Sequence, residues 1–327
     1  MTPSTEMAGL ELLSTYSSRD SRWDSSRAAV DIMAGYYQDA NYDRYAERMN
    51  GCAKRLGYRM VPDHEGNVAL KLNSVWLCKV RHCPVCQAAR NRVWRKRFFD
   101  GIPKLIEAHP TARFLFLTLT VRNCNVQFLR PTLEHMSHAF TKLMKRRSLR
   151  GLVLGYARAM EITKRPNNEA HPHFHVLIAV KSSYFGGDYY VKQEQWAQMW
   201  QESLEVDYKP VVDIRVVKPN KRATEGKKDM MGAICETAKY TVKINDLVGT
   251  GTLDDRKWLI EITNQLHGVK QINLSGVFRT YITNGEVTGE EILEANDESD
   301  SDKSSETDEL LFFNWFHHLK KYARYKD

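Results

Sequence analysis

Residues 171–180 read His-Pro-His-Phe-His-Val-Leu-Ile-Ala-Val, and this stretch restricts the fold more than any other in the chain. Side chains alternate across a strand, so His171, His173 and His175 share one face while Phe174, Val176 and Ile178 share the other. One face can pack on a core; the other presents imidazoles to a cation. The segment Leu154–Thr163 reads as the preceding strand, joined through the turn Arg165-Pro166-Asn167-Asn168. A short hairpin brings Glu161 beside His173 and His175. Two imidazoles and a carboxylate leave positions open on a divalent ion such as Mn²⁺ or Mg²⁺, and open positions are what catalysis needs. A hydrolytic zinc site could use the same ligands. For any one of these histidines, a satisfied surface side chain is the plainer reading.

The rest of the chain predicts an α+β protein: a central antiparallel sheet with flanking helices, and an N-terminal helical, zinc-binding extension. A helix is expected over Ala28–Arg55, a turn over 62–67, and a basic amphipathic helix over Arg90–Ile106. Arg113–Val121 reads as a buried strand, Pro131–Arg150 as a helix, His171–Val180 as the second hairpin strand, and Gln193–Leu204 as a helix. Val211–Val217 reads as a strand; Met230–Ile244 and Asp254–Leu266 read as helices. This order suits an antiparallel sheet with helices on one side. The expected regions are a flexible N terminus (1–27), a helical and Cys-rich region with the basic helix (28–110), a core that carries the histidine hairpin (111–245), the C-terminal part of the body (246–283), an acidic linker (284–309) and an aromatic, basic terminal segment (310–327). Ser14–Arg27 is expected to be loosely ordered, and the aromatic run Leu310–Phe316 to dock back onto the body.

Charge narrows the partner. The chain carries a formal +8, yet residues 290–309 hold ten acids against one base, which leaves +17 on the remainder. A basic body points to a polyanion, although a single charge run is usually just a solvated surface. Mean hydropathy is −0.52. No run is apolar enough to span a bilayer and no stretch near Met1 resembles a secretory signal, so a cytoplasmic, bacterial-type protein without a membrane partner is expected.

Of six cysteines, Cys52, Cys78, Cys83 and Cys86 cluster in a spacing that could close a tetrahedral structural Zn²⁺ site, with His82 an alternative ligand. Cys124 and Cys235 read as ordinary thiols near the core. The cluster runs into Arg90, Arg92, Arg95, Lys96 and Arg97, with no acid between Cys78 and Phe99. A zinc-pinned loop feeding a basic helix is a plausible DNA contact; an ordinary basic surface helix is the alternative. Further on, Glu236, Tyr240 and Lys243 fall on one face if 230–244 is a single helix. A tyrosine flanked by a carboxylate and an ammonium can act as a phosphodiester nucleophile, because the lysine steadies the phenolate. Glu236 could take a proton from the tyrosine or from a water. Most Glu-x-x-x-Tyr spacings mean only an amphipathic helix.

Three pieces in fixed order, Phe116-Leu-Thr118-Leu-Thr120, His171-Pro-His173-Phe-His175 and Glu236-Thr-Ala-Lys-Tyr240-Thr-Val-Lys243, resemble the plasmid rolling-circle replication initiators of the HUH endonuclease superfamily. The resemblance is to the single-tyrosine branch with an upstream cysteine cluster, and covers roughly residues 50–245. It implies the HUH replication-initiator fold, with His173 and His175 as metal ligands, Tyr240 as nucleophile and Glu236 as the activator of water at termination. Glu161 as third ligand is also consistent with similar enzymes that use a carboxylate. The role of His171 stays open, and the motif around Thr118 and Thr120 implies only packing and support of the site. The implied activity is nicking at a double-strand origin through a 5′-phosphotyrosine, with later rejoining. Origin DNA, a host helicase and a DNA polymerase are the implied partners. Two alternatives are an HUH relaxase or transposase, and a non-catalytic zinc-containing DNA-binding regulator. The late position of the tyrosine disfavours the first; the histidine strand together with Glu236 and Tyr240 disfavours the second.

Overall fold

The computed structural model describes residues 9–62, 68–217, 230–237, 242–295 and 310–326. Their strands, in chain order, are β1 (Leu10–Leu12), β2 (Arg55–Pro62), β3 (Val68–Val75), β4 (Arg113–Thr120), β5 (Cys124–Asn125), β6 (Val153–Arg165), β7 (Glu169–Val180), β8 (Val212–Val217), β9 (Ile272–Gly276), β10 (Leu310–Phe316) and β11 (Lys321–Tyr325). They build two antiparallel sheets in two compact units, residues 1–93 with 287–327, and residues 94–286. The protein is thus α+β, with antiparallel sheets flanked by helices.

In the first unit the strand order is β1-β11-β10-β2-β3. Alternation explains β10: Leu311, Phe313 and Trp315 are buried while Leu310 and Asn314 are exposed. Tyr58 of β2 meets Phe313 edge-on at 5.9 Å. The aromatic segment is therefore a sheet strand, paired with β2 from Leu310↔Arg59 to Asn314↔Arg55. The helix Arg22–Asp39 ties this hairpin down. Asp24 accepts hydrogen bonds from Lys321 Nζ and the Tyr322 N–H, both at 2.9 Å, and Asp31 accepts one from Trp315 Nε1 at 2.9 Å. These bonds correct the expectation that Ser14–Arg27 is loosely ordered; Trp23, Asp24 and Arg27 are buried there. The single helix expected over 28–55 is two, Arg22–Asp39 and Asp43–Gly51, because Asn41 takes φ 61°, a left-handed conformation that asparagine tolerates. The turn expected over 62–67 lies almost wholly outside the described residues.

In the second unit the order is β8-β4-β7-β6-β9, with β5 added to β7. Helices cover both faces, not one as expected. On one face, Phe114, Phe116, Ala157, Ala159, Leu177 and Ala179 pack under Trp94, Phe98, Ile102 and Leu105 of the helix Pro84–Ala108 and under Met230, Ala233 and Ile234 of the helix Met230–Thr237. On the other, Phe140 of the helix Leu129–Met144 meets Tyr156 and Phe174 edge-on at 5.0 and 6.2 Å. The cause lies in β4 and β7, whose unbroken apolar runs leave no face suited to water. Each fully buried Phe on these faces contributes roughly 1.5–3 kcal/mol of hydrophobic stabilisation. The helix Pro84–Ala108 starts in the first unit and ends in the second.

Candidate active site

β6 and β7 form the expected hairpin, with Glu161↔His173, Ala159↔His175 and Thr163↔His171 as cross-strand partners. Glu161, His173 and His175 therefore stand on one sheet face, beyond the apolar patch made by Ala157, Ala159 and Leu177. One oxygen, Glu161 Oε2, lies 3.1 Å from His173 Nε2 and 2.8 Å from His175 Nε2. Burial alone would raise the Glu161 carboxyl, but the bonds and charges of the two imidazoles outweigh it and hold the group well below the usual carboxylate range. The donor spacing fits a metal. Adjacent ligands of a six-coordinate ion with bonds of about 2.1 Å stand about 3.0 Å apart. One atom from each of Glu161, His173 and His175 falls within a 4.8 Å cluster.

The neighbouring strand supports this set. Thr118 pairs with His175 across β4 and β7, and its Oγ1 lies 3.3 Å from His175 Nδ1. A bond at the remote ring nitrogen selects the tautomer that leaves Nε2 free to bind a metal. The Phe116 ring stacks on His175 at 5.8 Å. His171 is drawn elsewhere: its Nδ1 meets Asn123 Oδ1 at 2.8 Å, Asn123 in turn donates to Glu169 at 2.9 Å, and His171 stays outside the donor set.

The second donor group is thiol. Cys52 closes the helix Asp43–Gly51, Cys78 follows β3, and Cys83 and Cys86 open the helix Pro84–Ala108. All four are buried, with Sγ separations of 3.6 Å (Cys52–Cys86), 3.5 Å (Cys78–Cys86) and 3.6 Å (Cys52–Cys83). A tetrahedron with Zn–S bonds of about 2.3 Å has edges of about 3.8 Å, so the donors already stand near that geometry. Hydrogen bonds from the other three thiols, helped by Arg90, lower the Cys86 pKa, while burial and its bonded neighbours raise that of Cys83. His82 is buried nearby but is not one of the four.

These two clusters give the setting for the comparisons. The replication-protein family matches residues 69–323. The chain belongs to this family. It is 34% identical to a "Protein rep" of Streptococcus pneumoniae over 80% of this chain and 78% of that one. A "Protein rep" of Lactiplantibacillus plantarum is 34% identical over 85% and 87%, and one of Bacillus amyloliquefaciens is 30% identical over 92% and 93%. No solved structure matches significantly.

The remaining sequence-predicted residues fall unevenly in this family member. Glu236 sits on the helix Met230–Thr237, which packs on β6 and β7. Tyr240 lies outside the described residues. The expected helix to Ile244 is not continuous: Val242 forms a parallel bridge with Ile162, and Lys243 has extended backbone. The helical spacing that placed Lys243 on one face with Glu236 and Tyr240 is therefore lost. In its place, the segment after the tyrosine is tied to the free edge of β6. Asp246 accepts from the Lys164 N–H at 3.1 Å, and Asp255 accepts from Lys164 Nζ at 2.6 Å. Sequence reasoning gave Thr118 only packing and support of the site, without its bond to His175, and missed these two aspartates; for Asp255 the signal available was the cap Thr252-x-x-Asp255, a capping box that opens the helix Leu253–Gln265.

The basic helix is mostly occupied. Arg97 is buried, donates to the Gly285 and Glu286 carbonyls at 3.0 and 3.1 Å and stacks on Trp94. Arg90 donates to the Arg81 carbonyl, Arg92 stacks on Trp23, and Lys96 pairs with Asp100 at 2.9 Å. Arg95 is exposed. The charge that suggested DNA contact here serves packing at several of these positions. Cys124 and Cys235 are partly buried thiols, and burial raises the pKa of Cys124. No helix among the described residues is long and apolar enough to cross a membrane.

Proposed function

We propose that the chain initiates plasmid rolling-circle replication by nicking one strand of the double-strand origin through Tyr240 and rejoining it after one round. One observation carries this reading: a single carboxylate oxygen of Glu161 faces two imidazoles across the hairpin, and the strand that carries Glu161 also receives Val242, two residues after Tyr240. Family membership supports the replication role. The Tyr240 hydroxyl attacks the scissile phosphorus, forming a P–O bond as the bond to the 3′ oxygen breaks. This leaves a 5′-phosphotyrosine and a free 3′-OH that primes leading-strand synthesis. Lys243 supplies positive charge against the developing phenolate. At termination Glu236 takes a proton from the water that cleaves the regenerated origin, and the free 3′-OH displaces Tyr240 to close a circle. Held by His173, His175 and Glu161, Mn²⁺ or Mg²⁺ would polarise the phosphate. Held by Cys52, Cys78, Cys83 and Cys86, Zn²⁺ would cross-link the first unit. Arg95 and Lys96 remain candidates for phosphate contacts. The partners are the plasmid origin, a host helicase (the sequence carries no phosphate-binding loop) and a host DNA polymerase, in the bacterial cytoplasm.

The deciding experiment is mass spectrometry of the full chain after incubation with a single-stranded oligonucleotide spanning its origin. The expected product is a peptide adduct on Tyr240. An adduct on another residue, or origin cleavage without any adduct, overturns the assignment.

A further inference from the structure

The chain leaves β7 as Lys181-Ser-Ser-Tyr184-Phe185-Gly-Gly-Asp188-Tyr189-Tyr190, with four aromatic residues among its last seven. Tyr184 is buried. Its hydroxyl accepts from Trp196 Nε1 at 3.1 Å and donates to the Val191 carbonyl at 3.3 Å. Phe185 and Tyr190 lie edge-on to this fixed ring at 5.1 and 5.9 Å, and 6.0 Å from each other. Yet Phe185 is 37% exposed, Tyr190 48% and Tyr189 59%. Phe185 and Tyr190 are thus held against a buried anchor, and all three rings are open to solvent.

Tyr189 and Tyr190 line a cleft of about 840 Å³ whose other lining includes Arg147, Arg150 and Lys181. Arg146 is neutralised by Glu202 at 2.6 Å, and Asp188 is the other acid on the lining. Arg147, Arg150 and Lys181 are exposed and form no ion pair among the described residues. Exposed tyrosines alone, or surface cations alone, are ordinary. Exposed rings beside unpaired cations in one concave surface combine the two interactions that hold an unpaired nucleic-acid strand: stacking on base faces and neutralisation of phosphates. A duplex offers only base edges in its grooves, so the rings favour a single strand.

We infer that this cleft grips unpaired DNA, with bases stacked on Tyr189 and Tyr190 and phosphates held by Arg147, Arg150 and Lys181. The polymer's being DNA rests on the function proposed above; the grip itself does not require nicking. Lys181 follows His175 by six residues along β7, roughly 20 Å at the rise of an extended strand. The cleft is therefore a second hold on the strand, distant from the metal-ligand set.

The test is fluorescence anisotropy of the full chain with a labelled single-stranded origin oligonucleotide and with its duplex, in parallel with a nicking assay. Tyr189→Ala with Tyr190→Ala should weaken single-strand binding about tenfold or more, while Tyr189→Phe with Tyr190→Phe should bind within about twofold of wild type. Arg147→Gln with Arg150→Gln should lower the slope of log K against log salt by about 1.4. Wild type should prefer the single strand. The inference is overturned if the alanine pair binds as wild type does, if the phenylalanine pair loses as much as the alanine pair, or if the salt slope is unmoved. Wild type that binds through these residues but never nicks overturns the nicking reading and leaves the grip standing. Wild type that nicks while all three variants bind normally does the reverse.

Discussion

Thr118→Val isolates the hydrogen bond that sets the His175 tautomer. Valine keeps the β-branched shape that suits β4 but offers no acceptor to Nδ1. A His175 that binds metal through Nε2 must carry its proton on Nδ1, where Thr118 Oγ1 stands 3.3 Å away. Losing such an outer partner typically costs 10–100-fold in metal affinity. The 3.3 Å separation is longer than the common value of about 2.9–3.0 Å, so the lower end applies: about tenfold, or about 1.4 kcal/mol. Fold stability should change little, because β4 keeps its pairing and its apolar contacts. The assay is Mn²⁺ titration followed by electron paramagnetic resonance, with Thr118→Ser as the rescue. Mn²⁺ affinity within twofold of wild type in the valine variant, or serine as weak as valine, refutes the reasoning.

Other outcomes follow from the same geometry. Cys83→Ser should drop bound zinc, measured by metal analysis, from about one per chain to well below it, because three thiolates no longer close the tetrahedron; full retention would remove Cys83 from the site. Arg97→Met should cost about 2–4 kcal/mol in denaturant unfolding, because two carbonyls lose a charged donor, and a loss no larger than that of Arg95→Gln would count against its packing role. Asp255 is pulled well below the usual carboxylate range: burial opposes its charge, and Lys164 with the Thr252 hydroxyl and backbone overcomes it. Its folded value is depressed, so its stabilisation is present above the unfolded value of about 3.9 and is lost as pH falls below it. Asp255→Asn should therefore flatten the acid limb of the unfolding midpoint against pH; an unchanged limb would speak against this. Glu236→Ala should still nick the origin but accumulate products longer than one plasmid length on denaturing gels, and clean unit-length circles would refute its role at termination.

Much of the second unit could be read from the sequence, for identifiable reasons. The His171–His175 alternation and the Arg165–Asn168 turn set the hairpin register, and that register alone puts Glu161 opposite His173. Helix coverage of both faces was also signalled, by apolar residues on both faces of β4 and of Val176–Val180, but local amphipathic patterns do not say where a helix packs. The break at Asn41 and the end of the helix before Val242 were hidden because periodicity continues across them; a left-handed residue decides the first and a bridge to Ile162 marks the second. The packing of the basic helix could not be read because charge in a sequence does not show what it faces. Arg97 finds carbonyls nearly 190 positions away. In the first unit, the alternation of Leu56 and Tyr58 and of Leu70 and Leu72 is a strand signal, but it lies inside the helical and Cys-rich region, where the thiol spacing dominates the pattern.

The order β1-β11-β10-β2-β3 puts the last strands of the chain in the middle of the first sheet. Asn314 pairs with Arg55 across more than two hundred and fifty residues, whereas every strand of the second sheet lies within 94–286. On the ribosome the second unit has all its strands long before β10 and β11 emerge, and the first sheet stays split until they do. The entropy of closing so long a loop grows only slowly with length, so the delay is one of synthesis rather than of equilibrium. A nonsense mutation at codon 310 would thus spare the sheet that carries Glu161, His173 and His175 and strip the centre from the one beside the four cysteines.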